Sequence, residues 1–157
     1  MDSYLLLKLL HILSAVVMAG TGMGIAFFMF MTHRSKNVAA IAVTTRHVVL
    51  ADWLFTTPAV VLQVLTGLLL MQKLGYSFTS PWFFTVTALY VLILGCWLPV
   101  VAIQYKLRRV ASQSLKAGVI STDFTQAMKR WTLLGIPAIG AVLTLFWMMV
   151  FKPLPVY

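Results

Sequence analysis

Few side chains in this sequence can do chemistry, and most of those that can lie where chemistry is costly. Lys8 and His11 fall within the apolar run Tyr4 to Met31, and Asp52 and Gln63 fall within a second run from Ala51 to Met71. An ionisable group at the centre of a membrane span costs about 2.5–3.5 kcal/mol on insertion scales, so each needs a partner or a task. A neutral imidazole can offer a lone pair to iron or another metal while its second nitrogen is fixed by a hydrogen bond. His11 is therefore the candidate metal or cofactor ligand, with Lys8 on the same face. Asp52 is the sole carboxylate within a span. Two readings stand for it: an ion pair with Arg46, Arg130 or the cytoplasmic end of the third span, or a proton or substrate site with Gln63.

The other histidines make weaker candidates. His47 lies roughly 30 Å from His11 in depth at 1.5 Å per residue, so the two cannot be axial ligands of one haem. Gln63, Thr66 and Met71 lie nearer the right depth, and of these only methionine is a common axial ligand. His33 falls in a joint between spans. No paired carboxylates, nucleophile triad, phosphate loop or HxxxH pair occurs. Hydrolase or kinase chemistry of the soluble type has no support, and an enzyme is not the favoured reading.

The elements that position these residues follow from composition. The chain is 61% hydrophobic and 10% charged, against about a quarter charged in soluble domains, which makes it a membrane protein. Four apolar segments are long enough to span: about 4–31, 51–71 with a helical lead-in from 38, 81–105 and 131–151. The expected fold is all-α, one integral membrane four-helix bundle. Asp2 and the length of the first run argue against a cleaved signal peptide, so the first span is expected in the mature protein. Arg34, Lys36, Arg46, Lys106, Arg108, Arg109, Lys116, Lys129 and Arg130 lie in two joints, against Lys8, Lys73 and Lys152 on the other side. Basic residues stay cytoplasmic, so both termini are expected in the periplasm of a bacterial inner membrane. The same distribution makes the net charge of +9 topogenic and excludes nucleic acid as a partner. Cys96 is alone, so neither an intramolecular disulfide nor a cysteine metal site can be built.

Helical faces sharpen the picture. Lys8, His11, Ala15, Met18 and Gly22 share one face of the first span, and Gly20 and Gly24 form a GxxxG pair on another, where packing inside the bundle is expected ahead of a dimer interface. Asp52, Thr56, Ala59, Gln63, Thr66 and Gly67 share a face of the second span that should look into the bundle. Tyr90, Trp97 and Gln104 share a face of the third. Pro58, Pro99 and Pro137 lie inside helices and should kink them. Asp123 or Thr122 is the expected cap of a helix leading into the fourth span.

Nearly the whole chain, from LLKLLHILSAVVMAGTGMGIAFF through ADWLFTTPAVVLQVLTGLLL to KRWTLLGIPAI and FWMMVFKP, resembles a bacterial family of predicted integral membrane proteins of unknown function. More distantly it is similar to the HemJ-type protoporphyrinogen oxidases, four-helix membrane proteins that bind haem b. Lys8, Leu10, His11, Ala19 and Gly20 match their first span. Thr57, Pro58, Ala59 and Gly67 match the second, and Arg130, Trp131, Pro137, Lys152 and Pro153 the last. Their third span starts with a His and a Lys that Pro81 to Leu92 lacks. The resemblance implies haem b at His11 without protoporphyrinogen oxidation. Three functions are expected from these readings. The first is a redox-related or cofactor-handling protein with haem b on His11. The second is a non-catalytic subunit or assembly factor of a larger membrane complex, with a membrane protein partner or a second copy. The third is a small transporter component using Asp52 and Gln63.

Overall fold

The structure, a computed structural model, describes residues 3–157. Four long helices cross back and forth: α1 (Ser3–Ser35), α2 (Val38–Leu74), α3 (Pro81–Ala117) and α4 (Thr122–Phe151). Each is long and apolar enough to cross a membrane. The expected all-α four-helix architecture is the observed one, and the lead-in from Val38 runs into the second span as one helix.

Every helix outruns its apolar segment at the end bearing the α1–α2 and α3–α4 loops, the basic end. There α3 continues past Tyr105 for three turns, burying Leu107, Val110, Ala111 and Ser114 while Lys106, Arg108, Arg109, Ser112 and Gln113 are exposed. That spacing is the amphipathic pattern of a helix in water. The first turns of α4 bury Phe124, Ala127, Met128 and Trp131 against it, together with Ile25 and Met29 of α1 and Ile41 and Val48 of α2. Between helices in lipid there is no hydrophobic driving force, because the tails are as apolar as leucine. Beyond the spans the driving force returns, at about 1.5–3 kcal/mol for each large side chain fully buried. Leu107 at 0% and Phe124 at 1% exposure gain most of it. The tightest core thus lies toward the basic end.

Polar caps set the helix ends. Asn37 Oδ1 accepts from Ala40 N, Ser80 Oγ from Phe83 N and Ser121 Oγ from Phe124 N. The cap of α4 is therefore Ser121, not Thr122 or Asp123, because it stands one residue ahead of the helix with an extended backbone. Gly75 and Gly118 end α2 and α3 at φ 66° and 73°, a region where a Cβ is strained. His33 lies within α1 rather than in a loop, its ring against that of Phe124.

At the other end, the termini end, Trp82 Nε1 donates to the Met148 carbonyl at 3.2 Å and Lys152 Nζ donates to the Tyr76 hydroxyl. The tail after α4 folds over the α2–α3 loop, with Ser77 N donating to Val156 O at 3.0 Å. Met71, Trp82 and Met148 form a second, smaller core there. Polar side chains occupy the bundle between the two cores.

Candidate functional site

Two polar sites follow from this frame, both on the inner face of α2. Toward the termini end, α1 and α2 meet at His11. Thr66 donates its single hydroxyl proton to the Leu62 carbonyl at 2.5 Å, so its oxygen must accept from His11 Nδ1 at 2.9 Å. The proton of the neutral ring is thereby placed on Nδ1. Nε2 is left to accept from the Gln63 amide nitrogen at 3.0 Å. The other end of that amide, Oε1, accepts from Ser14 Oγ at 2.6 Å, and the same hydroxyl lies 2.9 Å from the His11 carbonyl. Gly67 lets the ring lie this close, since a Cβ there would stand 3.2 Å from His11 Cε1.

The second site lies eleven residues, roughly 16 Å, along α2 toward the basic end. Residues Asp52–Thr56 form a π-helical turn in which Thr57 N donates to the Asp52 carbonyl five residues back. The widened turn sits just before Pro58, whose ring would press on the Leu54 carbonyl in a regular α-helix. The consequence of Pro58 is thus a π turn within a continuous helix.

Asp52 is only 5% exposed. Its polar neighbours are Thr56 on the next turn and Gln104 and Trp97 of α3. Yet Asp52 Oδ2, Thr56 Oγ1, Trp97 Nε1 and Gln104 Oε1 are all buried without a hydrogen-bond partner. Asp52, Trp97 and Gln104 border a cavity of about 230 Å³ whose apolar wall includes Val49, Leu98 and Val101.

Residues 5–153 match the model of DUF2269, described as a predicted integral membrane protein. The chain belongs to this family. No curated protein and no solved structure matches it.

In this DUF2269 protein the sequence-derived candidates separate. His11 and Gln63 are brought together by hydrogen bonding, and Thr66 joins them. Lys8 does not: it is exposed, with its amine 5.8 Å from the centre of the Tyr4 ring. The expected ion pair at Asp52 is absent among the described residues, because Arg46 and Arg130 both lie on exposed faces. His47 is exposed as well. The expected packing of another backbone onto Gly20 and Gly24 is absent, since nothing lies within 4 Å of where their Cβ atoms would be.

Haem b on His11 can be tested against the hydrogen bonds. Both ring nitrogens are engaged, and an iron would have to displace Gln63 from Nε2 or Thr66 from Nδ1. The Nδ1 bond to Thr66 could remain with a metal on Nε2, where Gln63 now sits. Sequence reasoning missed Ser14, although it stands one turn from His11 and is polar inside a span. Trp97 and Gln104 carried a signal in their seven-residue spacing, which keeps them on one face, but not the identity of the carboxylate they would meet.

Proposed function

We propose that this DUF2269 protein binds and passes a proton or a monovalent cation within the bilayer, with Asp52 as the acceptor, as a small transporter component would. One observation carries this reading: a buried carboxyl without a counter-charge, whose only polar neighbours among the described residues are the neutral side chains of Thr56, Trp97 and Gln104. An isolated ionised carboxylate is too costly in such a place, so it takes up a proton or a cation. A protonated Asp52 could donate to Gln104 Oε1 or Thr56 Oγ1, and a bound cation would find three oxygen ligands in the same three side chains. Either species gives a partner to oxygens among these atoms, while Trp97 Nε1 is a donor and pairs only with an acceptor such as Asp52. The π turn supports the same conclusion, because such turns occur often at functional sites in helices.

Gln63 belongs to the His11 network, and its place in the reading is to hold α1 against α2 beyond Asp52. The nine basic residues at one end support an orientation in a bacterial inner membrane with both termini outside. Haem b on His11, implied by the HemJ-type resemblance, is the competing reading, and the engaged ring nitrogens weigh against it.

Infrared difference spectroscopy on protein in liposomes tests the proposal. A carboxyl band that responds to acidification or to added sodium, and that vanishes in Asp52→Asn, is the expected result. A spectrum identical in wild type and Asp52→Asn would overturn it. Ion flux into the same liposomes should be lost in Asp52→Asn at unchanged protein content, and flux surviving that substitution would also refute the reading.

A further inference from the structure

The basic surplus concentrates along α3 just past the membrane. Arg108, Arg109, Ser112, Gln113 and Tyr105 line an open groove of about 410 Å³ on α3. Neither guanidinium has an acidic partner among the described residues. Two forks of nitrogen donors, a serine hydroxyl, an amide and a phenol make a donor set suited to phosphate oxygens.

Tyr105 lines this groove and also lines the neighbouring cavity that Asp52 borders. The Tyr105 hydroxyl accepts from Trp53 Nε1 at 2.5 Å, a pair of amphipathic rings of the kind that marks the headgroup level. Below the pair the wall turns apolar with Val101, Leu98 and Val49, and Trp53 and Leu98 are 58% and 62% exposed toward lipid. From Arg108 to Leu98 the helix covers about 15 Å, the depth of one hydrocarbon leaflet. Cationic, then aromatic, then apolar is the order of groups along one phospholipid molecule.

We infer that an anionic phospholipid occupies this seam between α2 and α3. Its phosphate lies on Arg108, Arg109, Ser112 and Gln113, its backbone passes the Trp53–Tyr105 pair, and one acyl chain lies along Val101 and Leu98. This goes beyond the Asp52 reading, and the acyl chain follows the lipid-facing wall of the cavity that Asp52 also borders. A phosphate-binding groove could also take a free anion, but the apolar continuation past Tyr105 favours the lipid.

Native mass spectrometry of detergent-purified protein with added phosphatidylglycerol, phosphatidylcholine or inorganic phosphate tests this. Wild type should retain phosphatidylglycerol over phosphatidylcholine. Arg108→Gln/Arg109→Gln should lower retention about thirtyfold, on about fivefold per cation neutralised near an anionic surface. Arg108→Lys/Arg109→Lys keeps the charge and loses the fork, and should still bind measurably more weakly than wild type. Lys129→Gln/Arg130→Gln removes equal charge from α4 and should stay within about twofold. Leu98→Trp, which fills the apolar wall, should weaken the lipid and leave phosphate unaffected. The inference is overturned if the lysine pair binds as wild type does, if the α4 variant falls equally, or if phosphatidylcholine binds as well. Inorganic phosphate binding as tightly as the lipid, or a Leu98→Trp variant that binds lipid normally, overturns it too.

Discussion

Placing an alanine at Gly67 tests the geometry of the His11 site. Its Cβ would stand 3.2 Å from His11 Cε1 and 3.8 Å from Nδ1, where carbon contacts are comfortable only from about 3.5 Å. The ring cannot retreat freely, because Thr66 holds Nδ1 at 2.9 Å and Gln63 holds Nε2 at 3.0 Å. Overpacking of this kind costs about 1–3 kcal/mol. Alanine recovers about 1 kcal/mol over glycine inside a helix. Gly67→Ala alone should therefore destabilise by about 0–2 kcal/mol, too wide a range to decide anything. The double-mutant cycle decides. In His11→Ala the clash partner is gone, so Gly67→Ala should stabilise by about 1 kcal/mol, leaving a coupling of about 1–3 kcal/mol. Reversible unfolding in mixed detergent and SDS micelles measures all four corners. A coupling below about 0.5 kcal/mol would mean that the ring does not lie against Gly67, and the site as described would be wrong.

Four further outcomes are expected. Ser14→Ala removes the hydrogen bond to Gln63 and should cost about 0.6 kcal/mol, the average for interhelical bonds in a bilayer, and at most about 1.7 kcal/mol; unchanged stability in the same assay would refute the link. Protein purified from cells supplied with haem precursors should show no His11-dependent Soret band, and a band lost in His11→Ala would restore the haem reading. Ser121→Ala should cost about 1 kcal/mol and Thr122→Ala clearly less, so equal losses in thermal unfolding would contradict the cap assignment. A reporter fused at Tyr157 should report from outside the cytoplasm, and a cytoplasmic signal would reverse the orientation.

The sites were legible in unequal measure. His11 and Asp52 could be singled out because an ionisable group in an apolar run is conspicuous whatever the fold. Their partners could not, since the meeting of His11 with Thr66 and Gln63 depends on the register of two antiparallel helices. A shift of one residue along either helix would turn the imidazole toward different neighbours by about 100°. The ion pair expected at Asp52 fails for a related reason. Arg46, six residues earlier on the same helix, points well away from it and is exposed, and Arg130 lies on the outer side of α4. The third span is bounded at Tyr105 because hydropathy falls there, while the helix itself continues to Ala117 on an amphipathic pattern that hydropathy averages away.

Composition and the lengths of the apolar runs determine by themselves that this is a four-span helical membrane protein with its basic residues at one end. That holds because lipid leaves the backbone only helices or closed barrels, and the runs suit helices. Tertiary structure alone decides that the His11 imidazole is tied on both nitrogens, that Gly67 rather than Gly20 or Gly24 is the close approach, and that Asp52 faces Trp97 and Gln104 without a counter-charge. Each of these depends on how one helix is rotated and shifted against the next, which the order of residues along one chain does not state.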